Sequence, residues 1–354
     1  MNPKIWINLE AIRENSSTAK NLCNTRGIHI DAVVKGVCAD PRIARAIVDG
    51  GITSLMDSRM ANLQRLRNNG FDCRLGLLRI PMINELKLLV EIADWCVVSM
   101  PEVIFSLEKI CAEKEKIFDV LLMVDLGDLR EGIWPDKLDE LTMLLRSCRW
   151  VRCIGVGSNL GCFGGVLPSR ENLERLVGYA QKAEESLNLS VCLISAGGTL
   201  ILFELLNSQI VPSEINHLRV GGGILRGKCK DKNLIGFRQD TMLLEAELIE
   251  IYTKPSTPIG TIGENVLGET PVLKDSGNRK RGVLALGAQD TICKDLEPKE
   301  NGVVVLGASS DHLVIDIHDF ANNPQMGATI SFRFKSYSSM LMAFNSFYVE
   351  KCYY

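Results

Sequence analysis

One lysine closes an apolar stretch near the N-terminus, and its amine is suited to covalent chemistry. The stretch Ile28–Lys35 is a predicted strand that ends Val33-Val34-Lys35. At the carboxyl end of a buried strand, desolvation lowers the pKa of a lysine amine and makes a Schiff base with a carbonyl compound feasible. On this residue alone, a lysine that simply leaves the sheet for solvent is the alternative.

Two glycine-rich turns follow apolar runs later in the chain. The first reads Ser195-Ala196-Gly197-Gly198-Thr199, and the second reads Arg219-Val220-Gly221-Gly222-Gly223. Backbone N–H groups without side chains around them can close on a phosphate, and the Thr199 hydroxyl can add a contact. We predict a phosphate pocket at Thr199, Gly221 and Gly222, with tight unliganded turns as the alternative.

Arg219 lies just before the second glycine turn, where the far nitrogen of a ring placed between Lys35 and the phosphate would fall. An arginine stays protonated and can only donate hydrogen bonds. Opposite a pyridine nitrogen it would keep that nitrogen unprotonated and weaken the ring as an electron sink. This favours simple removal and return of a proton, whereas a salt bridge in the barrel wall is the alternative.

Other turns carry candidates of a different kind. Arg130, in the turn Asp125–Gly132, can pair with a substrate carboxylate, or can be part of a charged surface loop. The turn Gly157–Gly165, which contains Asn159 and Cys162, is rich in small residues and can approach a bound ring closely.

Up to about residue 227, the sequence alternates between β-branched runs and stretches of helical periodicity. Eight predicted strands with helices between them indicate a closed (β/α)8 TIM-type barrel, whose chemistry lies at the carboxyl ends of its strands. The predicted strands are Ile28–Lys35, Thr53–Asp57, Cys73–Arg79, Trp95–Ser99, Phe118–Asp125, Arg152–Ser158, Ser190–Ser195 and His217–Gly221.

The rhythm changes after Gly227, and the rest of the chain predicts a C-terminal, mainly β domain. Its predicted strands are Thr241–Tyr252, Arg281–Gln289, Val303–Ile317 and Thr329–Phe334, with a loop at Pro255–Lys274. We place the barrel at residues 1–230 and the β domain at residues 235–354. Within Val303–Ile317, the polar residues Gly307–His312 predict a bulge or a site.

Composition limits the classes of partner. The 354 residues carry 40 Lys and Arg against 43 Asp and Glu, a net charge of −3, which argues against a nucleic-acid or anionic-membrane surface. The 12 cysteines are scattered singly and no export signal begins the chain, so we expect reduced thiols, no structural metal and a cytoplasmic protein.

Taken together, these residues resemble the alanine racemase family of pyridoxal-phosphate (PLP) enzymes, and more closely its ornithine/lysine (basic amino acid) racemase branch. The matching segments occur in the family's order along nearly the whole chain. They are Ala32–Lys35, Cys38–Pro41, Asp57–Arg59, Asp125–Gly132, Gly157–Gly165, Asn216–Arg219, Gly307–His312, Tyr337–Phe344 and Tyr348–Lys351.

The resemblance implies a head-to-tail homodimer in which the β domain of one copy completes the barrel mouth of the other. It implies PLP on Lys35, with Arg219 at the pyridine nitrogen. It also implies phosphate contacts from Thr199, Gly221, Gly222 and Tyr337, with Asn159 near the ring. Arg130 and Asp311 would bind the substrate carboxylate.

Racemisation of a free amino acid, with ornithine or lysine suggested by the resemblance, needs a second acid or base opposite Lys35. Alanine racemases use a partner tyrosine, which the corresponding Pro258-Ile259-Gly260 lacks, so the candidates are Cys162, His312, Asp290 and Tyr337. A thiol would need a lowered pKa, which an electropositive barrel mouth could supply. Three segments near the pocket also differ from the pattern of the ornithine/lysine racemase branch. These differences leave other functions open: PLP-dependent decarboxylation, epimerisation or retro-aldol cleavage, or non-catalytic PLP binding.

Overall fold

A computed structural model describes residues 2–188, 192–265, 267–268, 270 and 274–354. The chain forms two compact units. The barrel unit comprises Glu10–Lys35 and Ala39–Arg238, and the β unit comprises Met1–Leu9, Gly36–Cys38 and Gln239–Tyr354. The first strand, β1 (Lys4–Ile7), therefore belongs to the β unit, which corrects the expectation that the barrel domain begins at residue 1.

The barrel unit contains a closed barrel of parallel strands, as predicted. Each strand pairs with its neighbours in chain order, and the last pairs with the first. The strands are β2 (His29–Val33), β3 (Ser54–Asp57), β4 (Arg74–Leu77), β5 (Trp95–Val98), β6 (Phe118–Met123), β7 (Val151–Gly157), β8 (Leu193–Ser195) and β9 (His217–Val220). The first residues of the predicted strand Ser190–Ser195 lie outside the described residues.

Helix α1 (Leu9–Asn24) precedes the barrel, and one helix follows each barrel strand. These helices are α2 (Pro41–Asp49), α3 (Met60–Asn68), α4 (Leu86–Ile92), α5 (Pro101–Glu113), α6 (Leu138–Ser147), α7 (Arg170–Leu187), α8 (Thr199–Asn207) and α9 (Gly222–Arg226). Side chains fix where several begin. Asp40 accepts hydrogen bonds from two N–H groups of α2, and Ser169 forms a capping box with Asn172 at α7.

The interior of the barrel is filled with side chains. All four residues of β5 are buried, as expected for a parallel strand covered on both faces. One core cluster joins residues of β2, β3, β5 and β6, namely Val33, Met56, Trp95, Val97, Leu121 and Met123. Because the interior is packed, chemistry is confined to the ends of the strands.

The β unit contains a mainly antiparallel sheet. Apart from β1, its elements follow the short hairpin β10 (Lys228–Cys229) and β11 (Lys232–Asn233) of the barrel unit. They are β12 (Met242–Pro255), β13 (Asn278–Leu284), β14 (Leu296–Pro298), β15 (Val304–Ala308), β16 (Leu313–Asp316), β17 (Thr329–Phe334), helix α10 (Tyr337–Asn345) and β18 (Glu350–Tyr353). The order is β14-β17-β12-β13-β16-β15, and β1 pairs with β12 and β18.

Two predictions in this unit need correction. The segment Val303–Ile317 is not one long strand but the antiparallel pair β15–β16. The polar run before His312 is its turn, in which the Ser309 N–H donates to the carbonyl of His312 at 2.8 Å. The predicted strand Arg281–Gln289 ends at Leu284. Part of the predicted loop Pro255–Lys274 (residues 266, 269 and 271–273) lies outside the described residues.

Over the part of the chain that the structure describes, no helix is long and apolar enough to cross a membrane. Within the same residues, no cluster of three or more His, Cys, Asp or Glu side chains is arranged to hold a metal ion.

Candidate active site at the carboxyl ends of the barrel strands

Lys35 follows the carboxyl end of β2 and begins a short 3-10 helix, Lys35–Val37. The preceding Val34 is tied to the next strand through its N–H, which donates to the Met56 carbonyl at 2.9 Å. Burial lowers the pKa of the Lys35 ammonium, and the positive charge of Arg130 lowers it further. The sequence expectation of a lysine amine with a lowered pKa is confirmed in direction.

Arg219, in β9, is almost fully buried, with 4% of its surface exposed. Its Nη2 donates to the Ser158 carbonyl at 2.6 Å, and its Nη1 lies 3.3 Å from the sulfur of Met123. Its buried Nε has no hydrogen-bond partner among the described residues. Burial lowers the pKa of Arg219 to about 10, so at neutral pH the side chain is still a cation with one unused N–H donor.

Arg130 and Arg219 are connected through a carboxylate and an amide. Glu131 accepts hydrogen bonds from Arg130 Nε and Nη2. Its Oε1 also accepts from Asn159 Nδ2 at 2.7 Å, while Asn159 Oδ1 lies 3.5 Å from Nη2 of Arg219. Three residues chosen from sequence, Arg130, Asn159 and Arg219, are thus brought together, and Glu131 joins them.

Asp128 fixes the loop that follows β7. Its carboxylate is 1% exposed and accepts hydrogen bonds of 2.8–3.1 Å from four backbone N–H groups, those of Gly161, Cys162, Phe163 and Val166. Burial opposes ionisation here, but these donors hold the pKa of Asp128 below its usual value. The loop that carries Cys162 is therefore anchored to the loop after β6.

The two glycine turns are joined at the start of α8. Thr199 Oγ1 accepts from the Gly223 N–H at 3.0 Å, and the Arg219 N–H donates to the Gly197 carbonyl at 2.7 Å. A Cβ atom at Gly198 would lie 2.4 Å from the Arg219 carbonyl oxygen, and one at Gly221 would lie 3.1 Å from the Val33 carbonyl oxygen. At Gly198 only glycine allows this close backbone approach between the first glycine turn and β9.

Two further groups near Lys35 have raised pKa values. Burial raises the pKa of Asp57, at the end of β3, to about 6. Desolvation also raises the pKa of the Cys162 thiol, outweighing the positive charges of Arg130 and Lys35. The expectation that the barrel mouth would lower the thiol pKa is therefore wrong.

Four candidates lie in the β unit. Asp290 is buried, and its two carboxylate oxygens accept from the Gly287 N–H at 3.1 Å and the Ser346 hydroxyl at 2.9 Å. That arrangement anchors a loop, so we no longer favour Asp290 as an acid or base. Asp311 and His312 are exposed at the β15–β16 turn, and Asp311 Oδ1 lies 2.9 Å from His312 Nδ1. Tyr337 is the first residue of α10. A Cβ atom added at Gly36 would lie 2.4 Å from its hydroxyl oxygen, so the Tyr337 side chain packs against the Gly36 backbone.

Three charged residues of the site were not predicted from the sequence: Glu131, Asp128 and Asp57. Asp57 could have been predicted, because it is the last residue of a barrel strand and Lys35 follows the end of another. Glu131 and Asp128 act through Asn159 and through the loop 161–166, which are 28 or more residues away along the chain. Partners at that separation leave no local pattern in the sequence.

Comparison with known proteins identifies close relatives of this chain. The family model described as "Alanine racemase, N-terminal domain" matches residues 7–227. A curated protein named lysine racemase, from Thermotoga maritima, is 38% identical and covers 99% of this chain and 98% of its own length. One named ornithine racemase, from Acetoanaerobium sticklandii, is 36% identical and covers 99% of both chains.

Solved structures resemble the fold over its whole length. An alanine racemase from Streptomyces lavendulae superposes with a TM-score of 0.79 at 17% identity, covering 100% of this chain and 97% of that chain. An alanine racemase from Bartonella henselae, solved with covalently bound pyridoxal phosphate, gives 0.77 at 15% identity and covers 100% of both chains. At these identities the likeness shows the fold.

Proposed function

Because this chain belongs to the alanine racemase family, we propose that it is an amino acid racemase that uses PLP and acts on a free basic amino acid. The observation that carries the proposal is the unused Nε–H of buried Arg219, in the same unit as Lys35 with its lowered pKa. A buried donor without a partner costs free energy unless a ligand accepts from it. A pyridine nitrogen is such an acceptor.

The residues present fit the cofactor. Lys35 would hold it covalently, and Arg219 would donate to the ring nitrogen. Asn159 would lie beside the ring, and the phosphate would be held by the residues Thr199, Gly221, Gly222 and Tyr337. When bound, PLP acts as an electron sink that makes the α-proton of an amino acid removable.

Lys35 is the proposed base on one face of the substrate. Burial and Arg130 lower its pKa, so a larger share of the amine is neutral near pH 7 than in water. A base works best when its pKa lies near the working pH. The same amine, once protonated, returns the proton.

Cys162 is the proposed acid on the other face. Its raised pKa keeps the thiol protonated at neutral pH, which suits a group that first donates a proton. The loop that carries it is fixed by Asp128. His312 of a second copy is the alternative, with Asp311 as its hydrogen-bonded neighbour.

The relatives' names support a basic substrate, lysine or ornithine. Arg130 would bind the α-carboxylate through its two-pronged guanidinium, and Asp311 of a second copy would approach the same end.

Exposed apolar side chains on the barrel-unit loops after β6 and β7 support a head-to-tail homodimer, and they are Leu129, Trp134, Phe163 and Leu167. The 12 free thiols suit a reducing compartment, the cytoplasm.

The test combines cofactor trapping with product analysis. Protein loaded with PLP is reduced with borohydride, digested and analysed by mass spectrometry, and the label is expected on Lys35. L-Lysine and L-ornithine in deuterated water are then expected to give both enantiomers with deuterium at the α-carbon. Lys35→Ala should lower this turnover by at least about 10²–10⁴-fold, whereas exposed Lys87→Ala should not.

The same samples separate the alternatives. Release of carbon dioxide would indicate a decarboxylase, and an aldehyde product would indicate retro-aldol cleavage. A label on Lys35 with no deuterium exchange for any amino acid would indicate a non-catalytic PLP-binding protein. Full turnover by Lys35→Ala would contradict the mechanism.

A further inference from the structure

Glu131 lies between the two arginines of the candidate site. It accepts from both Nε and Nη2 of Arg130, and its Oε1 also accepts from Asn159 Nδ2 at 2.7 Å. Its side chain is 19% exposed and that of Arg130 is 36% exposed. Arg130 is therefore exposed and reachable by a small molecule, whereas the Glu131 carboxylate beside it is mostly shielded from water.

The charges around this pair leave Glu131 as the movable acid. Asp128 is committed to four backbone N–H groups of the loop that carries Cys162. Glu131 is the acidic group whose charge raises the pKa of buried Arg219 most, and Asp31 is the next. Among the described residues, Glu131 also makes the only carboxylate hydrogen bonds to Arg130.

A substrate carboxylate that takes Arg130 must compete with Glu131 for the same guanidinium. Once displaced, Glu131 would keep Asn159 but lose its ion-pair partner while still largely shielded from water. An unpaired carboxylate in such a place is costly. A substrate with an apolar side chain leaves that cost in full, whereas one that brings a side-chain ammonium supplies a new partner.

We propose that Glu131 receives the side-chain ammonium of the substrate and thereby makes this site selective for diamino acids. The proposal deepens the proposed racemase function and rests on it for the binding of the α-carboxylate at Arg130. Glu131 acts as an exchangeable partner: it pairs with Arg130 in the free protein and with the substrate's own cation in the complex. In the complex, Arg130 then pairs with the α-carboxylate and Glu131 pairs with the side-chain ammonium of the diamino acid.

The test compares lysine with norleucine, which has the same carbon chain without the ammonium, in wild type and Glu131→Gln. Glutamine keeps an oxygen that can accept from Asn159 but carries no charge. Equilibrium binding to the PLP-loaded protein is measured by calorimetry, and α-deuterium exchange is measured in parallel. Glu140→Gln, at an exposed position of α6, is the matched control for loss of one negative charge.

We expect Glu131→Gln to weaken lysine binding by about 10–100-fold, the range for a hydrogen bond to a charged group. Norleucine binding should stay the same or improve, so the lysine-to-norleucine ratio should fall. An unchanged ratio in Glu131→Gln overturns the proposal, and so does an equal loss for both ligands.

The two readouts keep this proposal separate from the racemase function. If wild type binds lysine more tightly than norleucine, and Glu131→Gln removes that preference, the assignment of Glu131 stands even where no deuterium is exchanged. In that case the racemase proposal falls. If wild type exchanges deuterium and Glu131→Gln keeps the preference, the racemase proposal stands and the role of Glu131 falls.

Discussion

Asp31 Oδ2 and His217 Nε2 lie 2.9 Å apart inside the barrel. The other ring nitrogen of His217, Nδ1, lies 2.8 Å from the Ser195 hydroxyl, and all three side chains are buried. A Ser–His–Asp set invites comparison with hydrolases, but a nucleophile must reach its substrate, and Ser195 is 0% exposed. We interpret the set as a link across strands β2, β8 and β9. β2 leads into Lys35, β8 leads into the first glycine turn, and β9 contains Arg219.

Removing either Asp31 or His217 alone should lower the free energy of unfolding by more than half of the loss that removing both causes. His217→Ala leaves the buried Asp31 carboxylate without its hydrogen-bond partner on His217, a change that costs about 1–3 kcal/mol. Asp31→Ala should cost a similar amount. The double variant should cost clearly less than the two single losses added together. Free energies of unfolding from urea titrations at pH 7 measure the coupling, and strictly additive losses would contradict it.

The same pair makes a prediction about acid stability. Burial opposes ionisation of Asp31, but the charge and hydrogen bond of His217 hold its pKa below the usual value. A carboxyl with a lower pKa in the folded state contributes stability above its unfolded pKa, near about 4, and loses it as the pH falls through the folded pKa. Wild type should therefore lose more stability than Asp31→Asn on acidification below about pH 4. Thermal unfolding at pH 3 and pH 6 tests this, and parallel losses would contradict it.

Asp128→Ala should loosen the loop after β7. The variant leaves four backbone N–H groups without their acceptor, and we expect faster amide hydrogen exchange at Gly161, Cys162, Phe163 and Val166. The free energy of unfolding should fall by about 1–3 kcal/mol, the cost of a buried hydrogen-bonded charge lost. Hydrogen exchange followed by mass spectrometry measures the loop directly. Exposed Asp136→Asn is the control, and equal exchange in the two variants would contradict the role of Asp128.

The barrel could be predicted from the sequence because its signals are local. A run such as Trp95–Val98, apolar throughout and followed by a polar residue, indicates a covered parallel strand, and Lys35 could be placed because such a strand leads into it. The strand β1 could not be predicted to join the β unit. Its four residues carry no mark of their partners, which are about 235 and 345 residues away.

The site was predictable in its parts and not in its connections. Arg130 and Asn159 lie in the loops that follow two barrel strands, and Arg219 lies near the carboxyl end of a third, and those positions selected them. The role of Glu131 depends on a contact with Asn159 across two strands, which no spacing shows. The turn at Asp311 was predicted to be a bulge or a site within one strand, because a polar run between two apolar runs fits a bulge and a hairpin equally well.

Gly198→Ala tests whether the first glycine turn must remain without side chains. The added Cβ would lie 2.4 Å from the Arg219 carbonyl, a backbone atom that cannot move aside alone. We expect a loss of about 1–3 kcal/mol of unfolding free energy and weaker PLP binding, because β9 must shift. Gly178→Ala is the matched control, since it lies in α7 with nothing within 4 Å of the new atom. That change should stabilise the protein by about 0.5–1 kcal/mol; equal effects at both sites would contradict the steric argument.

Asp57 should make the folded protein less stable as the pH rises from about 4 to about 6. It is fully buried, and burial raises its pKa to about 6 although Oδ1 accepts from the Arg59 N–H at 2.9 Å and from Asn62 at 3.0 Å. In the unfolded chain the carboxyl ionises near pH 3.9, so across this window the folded state holds the proton more tightly and stability falls. The amide that Asp57→Asn introduces does not ionise, and the variant should gain about 2 kcal/mol on wild type between pH 4.5 and pH 7.5. Urea titrations of the two proteins at both pH values measure the gain, with exposed Asp72→Asn as the control, and a pH-independent difference would mean that the Asp57 carboxyl ionises in the fold as it does in water.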